Sequence, residues 1–362
     1  MLFNLPRTAP FHRLIHWKET CTDSKRTIPR VERSMRQISY SEALNEALRE
    51  EMKRDEDVYV LGEDLGDYGG LFRVTKDLQK EFGKIRVLDT PISENGIIGF
   101  GVGSAITGLR PVAEILYIDF ITLAMDQIVN QAAKYRYMTG NQYHVPMVIR
   151  TQGGTGRRNA AQHSQSLESW FIHVPGLKVV MPSNPEDAKG LLKTAIRDDD
   201  PVLFIEHKNL YFKRGPVPEG EYTVPIGKAR VIREGTDVTI IATSWMVEKA
   251  IQAADQLEKE GVSPEIIDPR SLQPLDVATI GNSVKKTHRA LVVHEACTVG
   301  GFGAEVASKI METQFNSLEA PVGRVGGAFV PIPYSAPLEN ASIPQLENII
   351  AAARWVVSCS SC

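Results

Sequence analysis

The sequence predicts an α/β protein of two domains, each a mainly parallel sheet with helices on both faces. Short apolar runs of strand length alternate with longer segments of helical spacing, the pattern of a parallel sheet covered on both sides. At 362 residues the chain exceeds the usual size of one domain. Residues 213–227, with Pro216, Pro218, Pro225 and three glycines, interrupt the pattern as a linker, after which it restarts.

The elements follow in order. Ser39-x-x-Glu42 is a capping box, and Leu44, Ala47, Leu48 and Met52 continue it at helical spacing. Residues 58–61 form a buried strand that ends at Gly62-Glu63-Asp64. Residues 112–118 form another, followed by a helix through Met125, Ile128 and Val129. Short strands are expected at 147–149 and 178–181. Asn184-Pro185-Glu186-Asp187 opens a helix: a cap residue, proline in the first turn, acids at the positive end of the dipole. A strand at 202–205 closes the first half. The second half holds strands at 237–242, 265–268, 290–294 and 321–325, an amphipathic helix at 245–260 and a closing helix at 344–357. The expected divisions are an N-terminal extension without order (1–36), a first domain (37–212), the linker (213–227), a second domain (228–357) and a tail (358–362).

Composition narrows the class. Hydrophobic residues at 43% and charged residues at 23% fit a globular protein with a full core. A net charge of -3 argues against a nucleic-acid surface. No apolar run is long enough to span a bilayer; the longest candidate, 96–109, is glycine-rich and ends at Arg110. Four cysteines make no disulfide framework, and Cys359 with Cys362 lacks a second ligand pair for zinc. Residues 1–35 carry Arg7, Arg13, Lys18, Lys25, Arg26, Arg30 and Arg33 against Glu19, Asp23 and Glu32. An upstream start, an organelle-targeting segment and a disordered arm all suit that stretch, and its acids favour an extension with no catalytic role. A bacterial cytoplasmic setting is expected, or a mitochondrial or plastid matrix if the segment targets.

Chemistry concentrates in two motifs. Asp89-Thr90-Pro91-Ile92-Ser93-Glu94-Asn95-Gly96 presents one carboxylate, Glu94, at the lip of a glycine-rich apolar segment. Carboxyl groups against apolar walls can share protons near neutral pH, but alone Glu94 reads as a helix-capping acid. Ala160-Ala161-Gln162-His163-Ser164-Gln165-Ser166 follows. A lone histidine is usually a satisfied core residue; its polar neighbours and the preceding glycine-rich 153–156 loop suggest a pocket instead. Gly99-Phe100-Gly101-Val102-Gly103 and Gly300-Gly301-Phe302-Gly303 lack the spacing and context of a dinucleotide fingerprint and suit close helix packing.

These two motifs come together with Gly62-Glu63-Asp64, Gly108-Leu109-Arg110-Pro111, Pro175-Gly176-Leu177-Lys178-Val179-Val180, Asp187-Ala188-Lys189-Gly190-Leu191 and Ile226-Gly227-Lys228-Ala229. In that order they resemble the beta subunit of the 2-oxo acid dehydrogenases, over about Ile38 to Val356. In that family the decarboxylating component is an alpha/beta heterotetramer of the transketolase superfamily, as in the pyruvate, branched-chain 2-oxo acid and acetoin dehydrogenases. The resemblance implies a transketolase-like pyrimidine-binding domain followed by a transketolase C-terminal domain. It implies thiamine diphosphate as cofactor, with Glu94 on the ring nitrogen of the aminopyrimidine, and Ile92 and Phe120 on the same cofactor surface. It places Glu63 in an acidic passage between the two active sites, where the plain alternative is a capping acid. It gives His163 the transfer of the acyl unit to a lipoyl group. It also implies a structural potassium ion on backbone carbonyls of Met147, Ala195, Ile196, Asp198 and Asp200.

Thiamine enzymes of this class hold magnesium and the diphosphate with a Gly-Asp-Gly run, and no such run occurs here. An obligate alpha subunit is therefore expected to bring magnesium and the diphosphate contacts. The second expected partner is a lipoyl-bearing acyltransferase core docking on the domain after 228. Pyruvate is the leading substrate; acetoin and branched-chain 2-oxo acids are alternatives. A non-catalytic assembly protein on the same fold is the alternative of a different class, and intact Glu94 and His163 count against it.

Overall fold

The computed structural model describes residues 34–359. Residues 1–33, which hold nearly all of the expected extension, and 360–362, with Cys362, lie outside the described residues.

The first domain is built on a seven-stranded sheet. Across it run Ser271–Gln273, Lys178–Val180, Val202–His207, Val148–Gly153, Arg110–Ile115, Val58–Gly62 and Val87–Asp89. All pairings are parallel except that of the edge strand Ser271–Gln273. The two-residue period of the strands sorts the core into layers. Val58, Val60, Val112, Val148 and Val202 face one layer, with Leu44, Leu48 and Leu191 of the helices Tyr40–Arg54 and Pro185–Arg197. Tyr59, Leu61, Ala113, Ile149 and Leu203 face the other, with Ile97, Ile98 and Val102 of the helix Glu94–Ile106. Burial on both faces is why these strands read as continuous apolar runs.

The second domain carries a five-stranded sheet: Gly323–Gly327, Ala290–Cys297, Val238–Ala242, Pro264–Asp268 and Arg230–Arg233, the last antiparallel. Helices Trp245–Lys259 and Leu346–Ser358 cover one face. The other face, through Ile241, Ile267 and Val292, joins the apolar layer of the first domain, so one layer runs through both.

Three expectations change. The linker contains a strand, Arg214–Pro218, paired antiparallel with Met35–Ser39. Prolines are tolerated there because a two-stranded ribbon has free edges. The same pairing orders Met35 and Arg36, at the end of the expected extension. The helix expected after the strand Arg110–Ile115 is present but not wound as one α-helix: Phe120–Ala124 is a 3₁₀ helix and Gln127–Ala132 a π-helix. Ala124, Ile128 and Ala132 still face the core, so the apolar face was readable but not the winding. Gly176 explains its own motif. Its φ is +95°, and a Cβ would lie 1.9 Å from the Ala133 carbonyl at the end of that π-helix.

Candidate active site

The residues singled out in the sequence leave the sheet at one edge. Val58–Gly62, Val87–Asp89, Arg110–Ile115, Val148–Gly153 and Val202–His207 are parallel, so their carboxyl ends lie together. Glu63 follows the first of these strands, Ile92 and Glu94 the second, Tyr117 and Phe120 the third, the loop to His163 the fourth and Lys208 the fifth. Ligands in open α/β sheets bind outside these ends.

Glu94 opens the helix Glu94–Ile106 and is only 8% exposed. No hydrogen bond to its carboxylate occurs among the described residues, although free N–H groups of the first helical turn favour a negative charge there. Ile92, beside it, is 79% exposed, a large apolar side chain turned outward. Glu63 is half-buried, and burial together with the charges of Glu94, Asp64 and Glu114 raises its pKa. That places Glu63 and Glu94 within one electrostatic field.

His163 sits in an aromatic cradle. Its ring meets Tyr117 at 5.0 Å and Phe120 at 5.1 Å between centroids, both edge-on. Phe120 belongs to the turn that packs on the helix of Glu94, so His163, Phe120 and that helix are linked through direct packing. Behind the imidazole, Lys208 donates from Nζ to the His163 carbonyl and lies 5.1 Å from the centre of the Tyr117 ring. Burial lowers Lys208 to about 8, with Asp119, Glu295 and Glu339 opposing. Gln165 donates from its backbone N and from Nε2 to Asp119, at 3.2 and 2.8 Å, which fixes the segment after the histidine.

Sequence reasoning missed several residues here. Arg150, 1% exposed, donates to Glu114 at 2.6 Å and to Glu206 at 2.7 and 2.9 Å, tying three adjacent strands together. Tyr211 donates to Glu206. Glu168 is buried, and desolvation, with the Glu295 charge adding to it, pushes it up to about 7. A charge in the middle of an apolar strand was the available signal for the Arg150 group. Lys208 carried none, because its partners lie far off in the chain.

The positions expected around potassium are partly gathered. The carbonyls of Ile196 and Asp198 both accept from Arg110 Nη1 at 3.1 Å. The Met147 carbonyl accepts from Val202 N and that of Ala195 from Asp198 N. Asp200 pairs through its side chain with Arg136 at 2.6 Å and Lys178 at 3.3 Å. A carbonyl oxygen has two lone pairs, so these hydrogen bonds do not by themselves exclude a hard cation. No cluster of three His, Cys, Asp or Glu side chains able to hold a metal occurs among the described residues.

This architecture defines a class. Residues 36–213 match the transketolase pyrimidine binding domain and residues 227–349 the transketolase C-terminal domain. A split-gene transketolase, solved as an inactive beta4 tetramer, shares the fold with a TM-score of 0.74 at 23% identity, over 89% of this chain and 99% of that one. More similar relatives narrow the family. A pyruvate dehydrogenase E1 component subunit beta of Gracilaria tenuistipitata var. liui is 46% identical over 89% of this chain and 100% of its own. A mitochondrial subunit beta-2 of the same enzyme from Oryza sativa subsp. japonica is 48% identical over 88% and 86%. The beta subunit of the acetoin:2,6-dichlorophenolindophenol oxidoreductase of Bacillus subtilis (strain 168) is 46% identical over 87% and 96%. The chain belongs to the family of pyruvate dehydrogenase E1 beta subunits and their acetoin dehydrogenase counterparts.

Proposed function

We propose that the chain is the beta subunit of a thiamine diphosphate-dependent 2-oxo acid dehydrogenase, with pyruvate as the leading substrate and a lipoyl group as acyl acceptor. The observation that carries this is Glu94: a buried carboxylate without a side-chain partner, at a helix N-terminus, at the carboxyl edge of a parallel sheet. A carboxylate so placed is free for a group from outside the chain, and the ring nitrogen of an aminopyrimidine, an acceptor when neutral, pairs with it by sharing one proton. The cofactor supplies, when bound, the electron sink that decarboxylation of a 2-oxo acid requires. Glu94 holds the proton at that ring nitrogen. Phe120 supplies an apolar wall, and Ile92, exposed in this chain, would join it once an alpha subunit covers the site. Glu63, already in the field of Glu94, extends the acidic surface inward. His163, edge-on to two aromatic rings, presents an imidazole to the acyl-transfer step, where a group able to change charge near neutral pH is needed.

The missing Gly-Asp-Gly run supports an alpha subunit as the source of magnesium and diphosphate contacts, in a two-plus-two tetramer. Exposed apolar side chains near the site, Ile92, Phe100 and Leu123, suit such an interface. The carbonyls around Arg110 are offered for potassium. The second domain is assigned the docking of the acyltransferase. Acetoin is the second substrate reading, favoured by the similarity to the Bacillus subtilis subunit. The proposed compartment is a bacterial cytoplasm, or an organelle matrix if residues 1–35 target.

Reconstitution tests the reading. Calorimetry of the purified chain should show no tight uptake of thiamine diphosphate and magnesium; mixed with its alpha subunit it should bind both and oxidise a 2-oxo acid. Tight binding by the chain alone would refute the half-site.

A further inference from the structure

The loop leading from the strand Val148–Gly153 to His163 is held from outside its own domain. Glu295, on the second domain's strand Ala290–Cys297, accepts the Thr155 N–H through Oε1 at 2.6 Å. Glu339, on the helix Ala336–Ser342, accepts the Gly156 N–H at 3.0 Å and the Arg158 N–H at 3.3 Å. Both carboxylates are buried, at 9% and 3% exposure. Each is therefore committed to the loop rather than to solvent.

The loop needs this support. Gly154, Gly156, Arg158 and Ala160 have φ of +80°, +94°, +57° and +59°. An L side chain rarely adopts that region, so Arg158 and Ala160 are strained there. Such alternation turns successive N–H groups to a common side, a concavity that takes an anion. Here the anion is a side chain of the second domain. Glu295 is itself fixed: its Oε2 accepts from His207 Nε2 at 2.7 Å, while His207 Nδ1 accepts the Asn209 N–H at 3.1 Å, which puts the ring proton on Nε2. At the far end of the loop, Lys208 holds the His163 carbonyl, and Arg157 donates to the Lys208 carbonyl at 3.2 Å. The backbone before and at His163 is thus anchored to the second domain and to the end of the strand Val202–His207.

We propose that Glu295 and Glu339 are positioning residues that fix the 154–163 loop and, through it, the imidazole of His163 against Tyr117 and Phe120. The inference rests on the acyl-transfer role given to His163 above. It assigns the second domain a part in the chemistry of the first without touching the reacting atoms.

Glu339→Ala, Glu339→Asp and Glu339→Gln in the full chain, assembled with the alpha subunit, test it. In the Ala and Asp variants kcat for lipoyl acylation should fall roughly tenfold to a hundredfold. Decarboxylation with an artificial electron acceptor and KM for the 2-oxo acid should stay within about twofold. Glu339→Gln, whose amide oxygen still accepts both N–H groups, should recover most of the loss. Trypsin should cut after Arg157 or Arg158 about tenfold faster in the Ala and Asp variants, because the loop opens more often. Glu339→Asp keeps the charge at shorter reach, so the test stands if Glu339→Ala does not fold. Unchanged cleavage and acylation, or equal losses in both half-reactions, would overturn the proposal. A wild-type complex that acylates no lipoyl group would sink the functional reading instead, and the trypsin comparison would still decide whether the carboxylates hold the loop.

Discussion

Glu94 combines burial with a place in the first helical turn, where unpaired N–H groups and the macrodipole favour a carboxylate. Replacement by glutamine keeps its shape and removes its capacity to hold a proton. Glu94→Gln in the assembled complex should cost about two to four powers of ten in turnover, the usual range for a lost acid–base group. Size-exclusion chromatography should show an intact tetramer. Near-wild-type rates with cofactor bound would show that Glu94 does not activate it. Arg150 works differently. It touches no proposed ligand, yet with Glu114 and Glu206 it fixes the strands Arg110–Ile115, Val148–Gly153 and Val202–His207, from whose ends Phe120, the His163 loop and Lys208 emerge.

The helix Tyr40–Arg54 shows how one element joins local and tertiary demands. Ser39 Oγ accepts the Glu42 N–H at 3.2 Å and Glu42 accepts the Ser39 N–H at 2.7 Å, closing the capping box read from the sequence. Its packing on the helix Pro185–Arg197 is partly ionic: buried Lys189 and Lys193 reach Glu50, each at 2.6 Å, and Arg197 reaches Glu51. Such long side chains bury their stems while the charged ends stay paired. Ser39→Ala removes the cap acceptor together with the hydroxyl's contacts to Ser41 Oγ and Glu42 Oε2, and should cost about 1 kcal/mol. Urea unfolding should show a lower midpoint at constant slope. An unchanged midpoint would mean that the helix start is held by the strand Met35–Ser39 alone.

Across the whole molecule, one apolar layer continues from the first sheet into the second, and that continuity allows carboxylates of one domain to serve a loop of the other. The same packing leaves His294 fully buried beside Gly301, Gly303 and Gly326. Burial, with the nearby Arg324 charge, lowers its pKa to about 4 from 6.5. Above pH 6.5 both folded and unfolded chains carry it neutral, so it adds no pH dependence there. As pH falls from 6.5 towards 4 the unfolded chain takes up the proton first, and stability drops. Buried Glu168 and Asp268, both raised to about 7, act in the opposite sense, losing stability as pH rises towards 7. His294→Gln should therefore flatten the acid side of the stability curve between pH 6.5 and 4, whatever its absolute stability. Denaturant midpoints over that range measure it, and an unchanged acid slope would assign the loss to other groups.

Periodicity and local motifs determined the α/β class, most strands and helices, and the two motifs around Glu94 and His163. Those features rest on neighbours within a turn or a strand, so a linear pattern records them. The capping box at Ser39 and the helix start at Asn184 appear in the structure as the sequence predicts them, because cap and capped N–H are three residues apart. Tertiary structure alone decided what depends on distant partners. Arg214–Pro218 is a strand because Met35–Ser39 lies beside it. Ser271–Gln273 leaves its own domain to edge the first sheet, antiparallel to Lys178–Val180. Glu295 and Glu339 meet backbone N–H groups 140 and 183 residues away. Charge and hydrogen bonding act through space over a few ångströms, and the chain's order fixes which groups exist but not which of them meet.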